Sequence, residues 1–159
     1  EGVGSVFTIT LPFEIAAEQP QTEQPVPAKA KDISGLHLLL VEDNALNAEI
    51  AAALLADRGV SVELARDGSE AVRMFREAPA GTYAGIIMDI MMPVMDGLTA
   101  TRAIRALERA DAKTIPIIAM TANAFEEDAR QCLAAGMNVH LAKPLCMEEL
   151  VAILARLCA

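Results

Sequence analysis

Aromatic residues are scarce. Four Phe, one Tyr and no Trp occur in 159 residues, so any core must be aliphatic. Hydrophobic residues make up 53% of the chain, which leaves enough Leu, Ile, Val, Ala and Met to build one. Positive charge is also short: 13 Lys and Arg against 22 Asp and Glu, a net charge of -9. That balance argues against direct nucleic-acid binding, which needs clustered Lys and Arg for phosphate contacts. It is compatible with divalent cations or with basic partner surfaces. Three cysteines, Cys132, Cys146 and Cys158, are an odd number without metal-ligand spacing. They read as small hydrophobes in a reducing compartment. No uninterrupted apolar run is long enough to span a bilayer, and no basic stretch precedes an apolar one as in a signal peptide. The expectation is a cytoplasmic chain that makes no membrane contact of its own. An anchor belonging to a larger parent would lie outside this stretch.

What is present falls into three parts. "SVFTITLPF" (Ser5 to Phe13) alternates like a strand, with Phe7, Ile9 and Leu11 on one face. A lone strand cannot pair its backbone, so residues 1–13 read as the last piece of an upstream domain. Residues 14–32 contain Pro20, Pro25 and Pro27 with scattered charge, the composition of a flexible linker. From Ile33 the pattern changes. Short apolar runs at Leu36 to Val41, Val60 to Ala65, Tyr83 to Asp89, Thr114 to Ala122 and Val139 to Pro144 read as strands. Helical segments alternate with them: Ala45 to Arg58 behind the cap residue Asn44, a second after Asp67-Gly68, Leu98 to Arg109, Ala124 to Gly136, and Cys146 to Leu157. Five strands alternating with five helices imply an α/β fold, a parallel sheet covered on both faces.

Ligands of such sheets bind along the edge formed by the carboxyl ends of the strands. The residues expected there are Glu42 and Asp43 after strand one, Asp89 after strand three, Thr121 and Ala122 after strand four, and Lys143 and Pro144 after strand five. Three carboxylates brought together repel one another. Mg²⁺ relieves that conflict, because it takes oxygen ligands and keeps open positions that can hold a phosphoryl oxygen. Lys143 adds a positive charge and Thr121 a hydroxyl donor. These are the parts of a phosphoryl-transfer site with Asp89 as nucleophile.

"VEDN" (Val41 to Asn44), "MDIMMPVMDG" (Met88 to Gly97), "MTA" (Met120 to Ala122) and "LAKP" (Leu141 to Pro144), in that order and spacing, resemble the receiver domain of two-component response regulators. The resemblance runs from about Ser34 to Leu157, within a domain read as residues 33–159. It implies a flavodoxin-like (CheY-like) three-layer fold with strand order 2-1-3-4-5. It implies Asp89 as phosphoacceptor. Mg²⁺ would be held by Asp43, Asp89 and the Met91 backbone carbonyl, with Glu42 acting mainly through water. Thr121, Ala122 and Lys143 would bind the phosphoryl group, Thr121 and His140 would form the conformational switch, and the Lys143-Pro144 bond would be cis. Met91 and Asn123 would flank the phosphoryl group and tune its lifetime, the apolar Met91 hindering an attacking water. "GVGSVFTITLP" (Gly2 to Pro12) looks like the Gly-rich box and final strand of a histidine-kinase ATPase domain. Together the two resemblances imply the receiver of a hybrid histidine kinase. Its partner would be the kinase dimerisation domain or a histidine phosphotransfer protein, and no output domain is read after the last helix. The stretch lacks the kinase catalytic core, so the catalysis expected of it is its own phosphorylation and dephosphorylation.

Plainer readings stand beside these. Asp96-Gly97 reads as a turn. Met88, Met91, Met92, Met95 and Met120 read as packing residues, and His37 receives no role. Two alternatives keep the fold and change the function. A Mg²⁺ phosphatase with an aspartate nucleophile would need a second acid where Met91 stands. A docking module that is never phosphorylated would usually have lost an acid, the Thr or the Lys, and none is lost here.

Overall fold

The structure, a computed structural model, describes residues 32–121 and 126–158. The strand expected over residues 1–13 and the linker as far as residue 31 lie outside the described residues, as do Ala122 and Asn123. The elements are β1 (His37–Val41), α1 (Ala45–Ala56), β2 (Ser61–Ala65), α2 (Gly68–Glu77), β3 (Gly85–Asp89), α3 (Gly97–Arg105), β4 (Ile117–Thr121), α4 (Glu126–Ala135), β5 (Val139–Ala142) and α5 (Met147–Leu157). Every strand pair is parallel, and the sheet order is β2-β1-β3-β4-β5. This is the flavodoxin-like order that the motifs imply.

Alternation of side chains along the strands splits the core in two. Leu39, Val41, Ile86, Met88, Ile117 and Ala119 face one side and pack with Phe75 of α2 and Ile104 of α3. Leu38, Leu40, Ile87, Ile118 and Met120 face the other, against Leu55 of α1 and Leu150 and Leu154 of α5. β1, β3 and β4 are buried almost throughout, which is why they read as continuous apolar runs. β2 lies at the edge and exposes Ser61, Glu63 and Leu64.

Side-chain caps set where three helices begin. Asn44 accepts from the backbone N–H of Leu46 and Asn47, Asp67 from Ser69 and Glu70, and Asp96 from Thr99. Asp96 therefore opens α3, a more specific part than the turn residue expected. α3 also stops at Arg105, short of Arg109. The reason is the Arg109 side chain. Its guanidinium turns back to the carbonyls of Phe75 and Ala78, lies over the Phe75 ring at 4.2 Å and pairs with both carboxylate oxygens of Asp111. Backbone turns then occupy the stretch up to β4, which starts at Ile117 and not at Thr114. His37, which had no assigned role, stacks on Tyr83 with ring centroids 5.4 Å apart and meets the Ser61 hydroxyl at 2.7 Å. The Tyr83 hydroxyl donates to Glu63 at 2.6 Å and holds that carboxyl below its usual range. Cys132 is buried, Cys146 is exposed, and burial pushes the half-buried Cys158 thiol up to about 11.

Candidate functional site

Parallel strands end on the same side, so β1, β3, β4 and β5 deliver their last residues to one edge. Glu42 and Asp43 follow β1, Asp89 ends β3, Thr121 ends β4, and Lys143 follows β5. Residues far apart in the chain meet there. One carboxylate oxygen each from Glu42, Asp43 and Asp89 lie within 4.8 Å of one another. Glu42 and Asp89 are each 4% exposed, whereas Asp43 faces solvent. Two buried carboxylates need a counter-charge. Lys143 supplies it: its ammonium donates to Glu42 Oε2 at 2.6 Å and to Asp89 Oδ2 at 2.7 Å. Burial pulls the Lys143 ammonium down, but its hydrogen bonds to Asp89 and Glu42 outweigh this and hold it above its ordinary value.

The second oxygen of each buried acid is also engaged. The Met91 backbone N–H donates to Asp89 Oδ1 at 3.2 Å, and the Asn47 amide donates to Glu42 Oε1 at 3.1 Å. Thr121 is 5% exposed, and its carbonyl accepts from the Lys143 backbone N–H at 2.8 Å. The Lys143-Pro144 peptide bond is cis. His140 pairs in register with Ala119, and Thr121 pairs with Ala142. Two-residue alternation therefore puts His140 and Thr121 on the same face of the sheet. The Met91 side chain is 75% exposed at the mouth of the site. Beside the acids, an open cavity of about 500 Å³ is lined by Glu42, Asn47, Ile50, Leu54, Lys143 and Leu145 among others.

Two residues important to this geometry carry no role in the sequence reading. Asn47 falls within the helix expected from Ala45 to Arg58 and is given no part there. Its signal is an amide placed in the first turn of a helix that opens beside a strand-end acid. Gly97 reads as half of a turn. A Cβ there would collide with the carbonyl oxygen of Asp89, so the start of α3 passes directly under the acid.

The clustered side-chain donors are all carboxylate oxygens, with Asp43 on the solvent side. That suits a hard cation such as Mg²⁺ and not a soft, sulfur-seeking one.

Fold and site together define a flavodoxin-like α/β domain with a cluster of acids and a lysine at the carboxyl edge of its sheet, where Thr121 also ends β4. The family model of the response regulator receiver domain matches residues 38–155, and the chain belongs to that family. The chain is 36% identical over 165 residues to the osmosensing histidine protein kinase SLN1 of Saccharomyces cerevisiae, an alignment covering 100% of this chain and 13% of that protein. It thus spans a small part of that relative. Among solved structures it resembles the receiver domain of the sensor histidine kinase PA1611 from Pseudomonas aeruginosa PAO1. Identity is 46% and the TM-score is 0.70, with 79% of this chain and 98% of that one covered. A magnesium ion is coordinated in the active-site cleft of that protein. It also resembles the receiver domain of the Saccharomyces cerevisiae response regulator Ssk1, solved with the histidine phosphotransfer protein Ypd1, at 30% identity and a TM-score of 0.68 over 77% of this chain and 88% of that one.

Proposed function

We propose that this receiver domain accepts a phosphoryl group from a phosphohistidine onto Asp89 and either relays it or converts it into a change of conformation. The observation that carries the reading is the Lys143 ammonium bridging Glu42 and Asp89 within a cluster of three carboxylates. An Asp89 carboxylate oxygen forms the new O–P bond while the P–N bond to the donor imidazole breaks. The ring nitrogen keeps that electron pair, takes a proton from solvent and leaves as neutral imidazole. Asp43, Asp89 and the Met91 carbonyl would hold Mg²⁺, with Glu42 reaching it through water; when bound, the ion shields the charge on the transferring oxygens. Lys143 exchanges its bond to Asp89 for a phosphoryl oxygen. The Thr121 hydroxyl and the Ala122 N–H donate to the same group, Ala122 lying outside the described residues. Met91 flanks the product and its exposed side chain slows entry of water, while Asn123, the other residue expected to tune the lifetime, lies outside the described residues.

Thr121 moving toward the phosphoryl group frees the sheet face that it shares with His140, and His140 changes rotamer in response. Such a step is a bistable packing change biased by local charge. The phosphatase alternative is disfavoured because the residue two after Asp89 is Met91, whose side chain offers no acid. The donor is a histidine kinase dimerisation domain or a histidine phosphotransfer protein. In support, α1 leaves Leu46, Ile50 and Leu54 exposed at a spacing of four, a stripe beside the acids against which a helical donor can lie. The parent is a hybrid histidine kinase working in the cytoplasm, and residues 1–13 are the end of its ATPase domain. No helix of the described residues is long and apolar enough to cross a membrane.

The test is labelling by acetyl phosphate or a phosphohistidine protein, with and without Mg²⁺. The wild type should label only with the ion, and Asp89→Asn should not label. Mg²⁺-dependent label that survives in Asp89→Asn refutes the assignment.

A further inference from the structure

We propose that Asn47 is a positioning residue, which holds the Glu42 carboxylate in the orientation that sets Mg²⁺ affinity. The inference rests on reading the carboxylate cluster as a Mg²⁺ site. Glutamate has one more torsion than aspartate, so a strand-end Glu must be fixed by its neighbours before it can serve a site. Here both oxygens are taken. Lys143 donates to Oε2 at 2.6 Å, and Asn47 Nδ2 donates to Oε1 at 3.1 Å. The amide orientation follows from the chemistry, because an ionised carboxylate only accepts and the NH₂ side must face it.

The two donors differ in kind. Lys143 cancels charge that a metal would use, and phosphoryl transfer calls it away to the new phosphoryl oxygens. Asn47 is neutral. It orients Glu42 without cancelling its charge, and it stays in place when Lys143 leaves.

The backbone of Asn47 is itself fixed. Its N–H donates to the Asn44 cap at 3.2 Å, and Asn44 directly follows Asp43. A single helix start thus sets the positions of Asp43, Asn44 and Asn47 together. Glu42 is 4% exposed while Asn47 is exposed, so the amide reaches inward from the surface to grip a buried acid. Outer residues that orient metal-site carboxylates typically contribute 10- to 100-fold to metal affinity.

The experiment is a Mg²⁺ titration of the full chain followed by NMR of the backbone amides, on wild type, Asn47→Ala, Glu42→Ala and the double variant. Alanine favours helix at this exposed position, and far-UV circular dichroism checks that α1 persists. Asn47→Ala should weaken Mg²⁺ binding about 10-fold in the wild-type background and less than about 2-fold in the Glu42→Ala background. Unchanged affinity in Asn47→Ala, or an equal loss in both backgrounds, overturns the positioning role and leaves the Mg²⁺ site standing. A wild type that does not bind Mg²⁺ overturns the site reading, and this inference with it.

Discussion

At the scale of single residues, the tightest constraint near the site is a missing side chain. Gly97 begins α3 beneath Asp89, and its N–H donates to the Ile90 carbonyl at 3.0 Å. A methyl group there would collide with the Asp89 carbonyl oxygen, which is backbone and cannot swing aside. Gly97→Ala should therefore cost about 2–3 kcal/mol in urea unfolding. Gly81→Ala makes a useful comparison: its φ is +82° but a Cβ there meets open space, so the expected loss is about 1 kcal/mol. Gly97 has no positive φ to protect, so a loss there no larger than at Gly81 would mean that the chain relieves the collision by shifting. Asp89 itself is legible in the sequence, because an acid closing an apolar strand demands a partner. Gly97 and Asn47 are not. Their importance lies in what they approach, and that depends on the path of the folded chain.

At the scale of elements, alternating apolar runs and helical stretches were enough to anticipate the five strands, the five helices and both faces of the sheet. The end of α3 escaped that reasoning. Ile104 and Leu107 continue a helical spacing, yet the helix closes at Arg105 because Arg109 is drawn into bonds with the Phe75 and Ala78 carbonyls and with Asp111. No periodicity in the sequence reports that capture. The clamp joins the end of α2 to the turn before β4, and it has a pH signature. The Arg109 guanidinium holds the Asp111 carboxyl down to about 2, against an opposing push from burial and with help from the Gly81 N–H. A carboxyl depressed in the folded state adds stability that is complete above its unfolded value, about 3.9, and is lost as pH falls toward the folded one. Asp111→Asn should thus be less stable than wild type by about 1–2 kcal/mol at neutral pH. Urea unfolding across a pH series should show the gap holding to about pH 5 and closing between about pH 4 and 2. A gap that does not change with pH would mean the carboxylate charge is not what Arg109 uses.

At the scale of the whole molecule, the site exists because four strands of one parallel sheet stop at the same edge. Glu42, Asp43, Asp89 and Lys143 come from three separate strand ends, and the fold places like charges together at a cost. Lys143 offsets that cost. Its ammonium is held above its ordinary value, so its contribution persists through neutral pH and is lost only as pH rises past the ordinary lysine range. Lys143→Met would leave Glu42 and Asp89 buried without their cation. Removing one partner of a buried pair costs about 3–5 kcal/mol. The Lys143 side chain is 26% exposed, so a loss of about 2 kcal/mol is the better expectation. A divalent ion among the same carboxylates acts in the same direction. It should stabilise the wild type by mass action, about 1.4 kcal/mol at tenfold excess over its dissociation constant. Its effect should be larger in Lys143→Met, because the ion then answers charge that nothing else does. Thermal unfolding of both proteins in Mg²⁺ and in chelator checks this. Equal Mg²⁺ increments in the two would mean that lysine and metal answer separate charges, and that the acids at this edge do not act as one electrostatic unit.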